Sequence, residues 1–197
     1  HALDYGRIAL EDTMNLLRAN GIDFTGTGFN EQEVFSVKIK EIKGIKIGFL
    51  AYTEFGSIYW KPSTSTSGVA SIKIDELEKV KKEIKEAKEK SDILIISLHA
   101  GEEYTQNITN FQEKFSKACI DNGADLILGH HPHVSQKIEK YKEGWIAYSL
   151  GNFIFDQKFS TATMQGTLLE VLIENDKIKE LNPKEVKISE NFQPYLK

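Results

Sequence analysis

Residues 130–133 hold three of the chain's five histidines, His130, His131 and His133, split by Pro132 and preceded by the apolar run Leu126-Ile127-Leu128-Gly129. Imidazole is neutral near pH 7 and offers one nitrogen lone pair, which makes it the commonest side-chain ligand for zinc, iron and manganese. The apolar run reads as a buried strand, so the cluster lies at a strand's carboxyl end, the edge where open α/β sheets place their ligands. A polar surface turn punctuated by proline is the plainer reading, and a histidine at a second strand end argues against it. In an extended segment, side chains two apart project to the same side, so His131 and His133 can converge while His130 points away. His131 and His133 are the preferred metal ligands. His130 is given a structural or site-lining role, such as a hydrogen bond that orients a neighbour.

That second histidine is His99, which closes Ile93-Leu94-Ile95-Ile96-Ser97-Leu98 and is followed by Ala100-Gly101-Glu102-Glu103-Tyr104. Between the two runs, Phe111, Phe115, Ala118 and Cys119 recur at helical spacing and Asn122-Gly123 supplies a stop. Strand, helix, strand is the parallel crossover unit, whose right-handed geometry sets both carboxyl ends on one edge. His99 and the later cluster then face one crevice. Three imidazoles can hold one ion with open positions, whereas hydrolytic sites with two metals add carboxylates that bridge the ions. Glu102, Glu103 and Asp156 are the nearest acidic candidates, although such residues are often only solvated. Asn152 follows Leu150-Gly151 and is read either as a residue on the crevice rim or as a turn former.

The elements that must position these groups fit into one domain, since 197 residues allow a sizeable core but make two domains improbable on length. Hydrophobic content of 40% and charged content of 27% are globular values. There is no apolar run long enough to cross a bilayer and no signal-peptide pattern, so a soluble fragment is expected. A net charge of −4 argues against a general nucleic-acid binder. Cys119 is the single cysteine and reads as a core residue, so no disulfide framework is available. The chain opens on His1 without an initiator methionine or a preceding strand, which suggests a cut N-terminus.

A first helix is expected from about residue 4 or 6 to 20, then a short strand over 22–26. Runs 34–40 and 45–52 flank Lys43-Gly44, a hairpin signal. Residues 53–72, with Ser63-Thr64-Ser65-Thr66-Ser67-Gly68, read as a mobile surface loop. Residues 75–91 carry Leu77, Val80, Ile84 and Ala87 on one stripe, an amphipathic surface helix. Further hairpins are expected around residues 142–144 and 175–176. Residues 182–197 read as a peripheral tail on a core of about 1–181.

Two longer blocks, Asn122-Gly123-Ala124-Asp125 through Gly129-His130-His131-Pro132-His133-Val134 and Tyr148-Ser149-Leu150-Gly151-Asn152-Phe153-Ile154-Phe155-Asp156-Gln157, carry a resemblance. With His1-Ala2-Leu3-Asp4-Tyr5-Gly6 and His99 to Tyr104, they resemble the bacterial capsule synthesis family of the CapA and PgsA poly-gamma-glutamate proteins, over about residues 1–157. That family is similar in turn to the calcineurin-like metallophosphoesterases. The resemblance implies a single α/β domain over 1–197, a sandwich of two mixed β-sheets flanked by helices and lacking its N-terminal portion. It also implies that His99 and the pair His131 and His133 are metal ligands. His1 resembles a histidine that acts near the scissile group, as acid or electrostatic stabiliser. The early Asp-x-His, the bridging aspartate and an asparagine just before His1 would lie upstream. His130 stands where phosphoesterases usually carry glycine, and Ala100 where the family often has tryptophan.

Two functions follow from that resemblance. One is a hydrolase of a phosphoester or amide-type substrate, with two divalent ions (manganese, zinc or iron) in the full-length protein and fewer or none in this fragment. The other is a non-catalytic surface domain that binds anionic polymer or the membrane subunits of a capsule synthase. Either implies an extracytoplasmic protein anchored to the bacterial membrane by a segment outside this chain. A cytosolic enzyme unrelated to capsule is the third alternative.

Overall fold

Side-chain periodicity orders the chain. The computed structural model describes residues 1–196 as helices α1 (Gly6–Ala19), α2 (Glu31–Val34), α3 (Leu77–Lys88) and α4 (Asn110–Asp121), with eleven strands. The strands are β1 (Thr27–Gly28), β2 (Lys38–Ile42), β3 (Ile45–Thr53), β4 (Gly68–Val69), β5 (Ile93–His99), β6 (Leu126–His130), β7 (Ile138–Tyr141), β8 (Gly144–Ala147), β9 (Gln165–Glu174), β10 (Lys177–Ile188) and β11 (Pro194–Leu196). All three expected hairpins form. Their turns carry positive φ at Lys43 and Gly44, at Lys142, and at Asn175 and Asp176, the geometry that matches the twist of the flanking strands.

Six strands make one mixed sheet in the order β2-β3-β5-β6-β8-β7. Strands β3, β5, β6 and β8 are parallel, and β2 and β7 pair antiparallel at the two edges. Helices α3 and α4 cover one face. Val80, Ile84 and Ala87 of α3 and Phe115, Cys119 and Ile120 of α4 pack on Leu50, Tyr52, Leu94, Ile96 and Ile127 from the strands. Burying each large aliphatic side chain in that layer stabilises it by about 1.5–3 kcal/mol over an exposed one. Thr109 caps α4 with its hydroxyl on the Gln112 N–H, and Gln112 returns a bond to the Thr109 N–H, which fixes where the helix begins. The register of β5 on β6 pairs His99 with His130, so the two strands end flush.

The second sheet is β11-β10-β9 and is antiparallel throughout, not mixed. An isolated bridge from Gly151 to Gly166 joins it to the chain leaving β8, which a second bridge, Ser135 to Leu150, ties to the chain leaving β6. Between the layers lies a cavity of about 380 Å³ lined by Ile95, Leu126 and Leu128 on one side and Leu168 and Leu169 on the other. Residues 182–196 are not a peripheral tail, and Lys197 lies outside the described residues. Strand β10 runs through Pro183 to Ile188, and Val186 and Ile188 are buried. Pro183 pairs opposite Leu169 in continuous register, and the one irregularity of this hairpin lies between Ile178 and Glu180.

The loop 53–72 also differs from expectation. Ser57 to Tyr59 and Ser63 to Thr66 are exposed, while Ser67 to Ile72 are buried. The reason is pairing: Val69 and Gly68 lie opposite Thr27 and Gly28, Ala70 N–H donates to Gly26, and Ile72 N–H donates to Thr53. The short strand falls at residues 27–28, not 22–26. A smaller core of Leu3, Leu10, Met14 and Val69 seats α1 against this corner.

Candidate metal centre

Two loops leave the flush ends of β5 and β6, and backbone bonds tie them to each other. Ala100 N–H donates to the His130 carbonyl at 3.1 Å, and Tyr104 N–H donates to the Pro132 carbonyl at 2.8 Å. Gly101 lies at φ +112°, and a Cβ there would meet the Gln112 amide at 2.7 Å, so the first loop turns tightly over α4. The buried Gln136 amide then donates to the carbonyls of Thr105 and Asn107 at 3.0 and 2.9 Å, and accepts from buried Gln112 at 2.9 Å. These contacts hold the segment that carries Glu103 over the histidine cluster.

Glu103, His131 and His133 converge, with one potential ligand atom from each lying within 4.8 Å of the others. Glu103 is exposed and the two histidines are half-buried. The histidines do not meet by strand alternation. His131 has φ +101° and His133 φ +58°, so the segment turns through left-handed conformations that β-carbons disfavour, at a cost of about 1–3 kcal/mol each. The expected convergence is reached by a different backbone path. His130, the last residue of β6, lines the cavity between the sheets instead, and burial lowers its pKa.

His99 lies beside the trio without joining it. Its ring is 4.7 Å from that of His131, and Phe55 packs on both, at 5.6 Å from His99 and 4.3 Å from His131. Its Nδ1 is 3.4 Å from the Thr53 hydroxyl. Burial, then the neighbouring His131, push His99 down to about 4. His131 is lowered by burial, against the opposing charge of Glu103. Both imidazoles are thus kept in the neutral form that carries a lone pair. His1 is exposed, shares a cavity of about 300 Å³ with His99, and bonds Asp4 through Nδ1 at 2.8 Å. Glu102 and Asp156 are exposed and stand outside the convergent group.

Asn152 is buried, and its Oδ1 lies 2.9 Å from His133 Nδ1. Tyr104 stacks on His133 at 5.8 Å between ring centres and also meets Phe159, while Phe155 lies 5.2 Å from His133. Burial, then the charge and hydrogen bond of Glu103, raise the Tyr104 hydroxyl's pKa. Tyr104 and Gln157 carry no separate expectation from sequence, although both lie inside the motif blocks that flank the histidines.

Two nitrogens and one carboxylate oxygen are a donor set suited to a borderline divalent ion such as zinc, manganese or iron. The residues present therefore fit one ion. Among the described residues they form one such group of three, so no ligand set for a second ion is gathered.

Fold and site together define a metallophosphoesterase-like α/β sandwich with a candidate metal centre where its parallel strands end. The chain belongs to the bacterial capsule synthesis protein family PGA_cap, whose family model matches residues 1–157. It is 36% identical to the capsule biosynthesis protein CapA of Bacillus anthracis, across 86% of this chain and 41% of that protein. It is 33% identical to the PGA biosynthesis protein CapA of Bacillus subtilis, across 86% and 44%. A probable polyglutamine synthesis accessory protein of Mycobacterium tuberculosis is 27% identical across 79% and 43%. The chain thus spans less than half the length of these curated relatives. A hypothetical protein from Thermus thermophilus has a crystal structure that superposes with a TM-score of 0.53 over 89% of this chain and 81% of that one, at 13% identity, a likeness of fold alone. Among the described residues no helix is long and apolar enough to cross a membrane.

Proposed function

We propose that this chain forms the metal-binding part of a protein of capsule or poly-gamma-glutamate biosynthesis, and that its centre hydrolyses a phosphoester or amide-type bond. The observation that carries the reading is the convergence of Glu103, His131 and His133 at the strand ends, with His99 held neutral beside them. A divalent ion held by the three supplies Lewis acidity and lowers the pKa of water. Glu103, His131 and His133 would hold that ion, and Phe55 and Phe155 pack against the imidazoles of His131 and His133. His1 lies across the His99 cavity and serves as proton donor to a leaving group or as a charge stabiliser. The full site takes two ions in the whole protein, the second on ligands that this chain does not gather. An extracytoplasmic, membrane-anchored setting next to the synthase belongs to the same proposal.

The experiment is metal analysis of the purified protein joined to phosphodiesterase and peptidase assays on wild type and a His131→Ala, His133→Ala double variant. About one ion per chain, and turnover lost in the double variant, are expected. An ion-free wild type, or turnover indifferent to the double substitution, refutes the hydrolase. The second reading is a domain that binds anionic polymer or synthase partners without catalysis, favoured by the exposure of His1, whose Nδ1 is already engaged by Asp4. Retained polymer binding in the double variant, with no turnover in either protein, selects it.

A further inference from the structure

One side of His133 is enclosed by a path of hydrogen bonds whose directions can be worked out atom by atom. Asn152 is 6% exposed, and its Nδ2 donates to the Thr163 carbonyl at 3.0 Å and to Gln157 Oε1 at 3.1 Å. A backbone carbonyl can only accept, so the Thr163 contact decides which end of the Asn152 amide is nitrogen. Oδ1 therefore faces His133 as an acceptor, 2.9 Å from Nδ1. The imidazole nitrogen opposite an acceptor must carry the proton. Because Gln157 accepts through Oε1, its Nε2 is free to donate to the Tyr104 hydroxyl at 3.2 Å. Tyr104 stacks in turn on the His133 ring, 5.8 Å between ring centres. Every donor on this path points away from His133 and toward the Tyr104 hydroxyl, so each bond polarises the next in the same sense.

We infer that Asn152, itself oriented by the Thr163 carbonyl and Gln157, is a positioning residue that locks His133 in its Nδ1–H tautomer and leaves Nε2 as the lone pair offered to an ion. The inference rests on the reading of Glu103, His131 and His133 as a ligand set. A neutral histidine in water samples both tautomers, and the wrong one presents an N–H where an ion needs a lone pair. The second hydrogen-bond partner of a ligating imidazole commonly changes metal affinity by about 10–100-fold. Asn152 meets that description without touching the other two ligands.

Long-range 1H–15N NMR of the metal-free protein at pH 7.5 reads the tautomer directly, and zinc titration of the same samples reads the affinity. Wild type is expected to show His133 with one protonated nitrogen, Nδ1. Asn152→Leu removes the acceptor, so mixed tautomers and a loss of zinc affinity of about tenfold or more are expected. Asn152→Asp keeps an acceptor toward His133 while giving up the donors to Thr163 and Gln157. It should melt earlier than wild type yet retain the single tautomer, a separation that a purely structural role does not produce. If Asn152→Leu does not fold, the wild-type spectrum still decides: Nε2–H or exchanging tautomers there overturn the inference. Unchanged tautomer and affinity in folded Asn152→Leu also overturn it. A locked Nδ1–H imidazole that takes up no zinc supports the positioning role and refutes the metal reading.

Discussion

The backbone N–H of Tyr104 donates to the carbonyl of Pro132 at 2.8 Å, and this bond, next in the chain to Glu103, ties the β5 loop to the histidines of the β6 loop. Glu103 is exposed, so replacing it disturbs no core. Glu103→Gln should leave the circular dichroism spectrum and melting temperature unchanged while lowering zinc or manganese affinity at least about tenfold, as measured by competition with a chelating dye. Equal affinity in the variant removes Glu103 from the ligand set.

Strain at His131 supplies a second test. At φ +101° a β-carbon is disfavoured and glycine is not. His131→Gly should therefore be at least as stable as wild type, with a gain of up to about 1–3 kcal/mol in urea unfolding, even as ion binding is lost. A clear loss of stability shows that packing of the ring on Phe55 outweighs the backbone strain.

Gln136 ties the Glu103 loop to the sheet. Gln136→Leu leaves the carbonyls of Thr105 and Asn107 without that donor and the Gln112 amide nitrogen with the Tyr148 carbonyl alone. A net hydrogen bond contributes about 0.5–1.5 kcal/mol, so destabilisation of about 1 kcal/mol or more is expected from these part-buried contacts, together with weaker ion binding. Weaker binding at unchanged stability contradicts this account.

Two groups make the stability of the metal-free protein depend on pH in opposite senses. His99 titrates at about 4 in the fold against 6.5 in the open chain, so between those values the unfolded state binds the extra proton. Its contribution is present above about pH 6.5 and lost as pH falls toward 4. Glu83 is pushed by burial up to about 7 from 4.5, with the Tyr52 hydroxyl donating to it at 3.0 Å. There the folded state holds the extra proton, and stability falls as pH rises through 4.5 to 7. Glu83→Gln should remove that second slope and gain on the order of 1 kcal/mol at pH 8, allowing for partial exposure. Urea midpoints from pH 4 to 8 check both, and an identical profile for wild type and Glu83→Gln rules out the Glu83 contribution.

The parallel crossover was legible in the sequence because two apolar runs end in histidine on either side of a helical period, and the register pairs His99 with His130 as that topology requires. The hairpins were legible because Lys43-Gly44 and Asn175-Asp176 accept positive φ. What periodicity does not encode is the path taken after a strand ends. His131 and His133 meet through left-handed backbone, and Glu103 reaches them through backbone bonds that carry no residue-specific signal. The hairpin run over 177–187 is legible in the sequence; what Asn182-Pro183 obscures is that this run stays in the sheet, paired with β9 and burying Val186, and does not begin a tail. Asn152 was left between two roles since only the position of the Thr163 carbonyl decides between them.

Gln136 also determines how the site moves. A loop whose carbonyls are held by a buried amide, itself held from α4, does not open on its own. Amides of residues 104–109 that donate within the protein should exchange with solvent only on openings that also release α4 from the sheet, and the loop should share the protection of the core strands. The ligand-bearing loop then belongs to the most slowly opening unit of the molecule, so ion exchange must proceed through side-chain rotation at Glu103 and not through loop breathing.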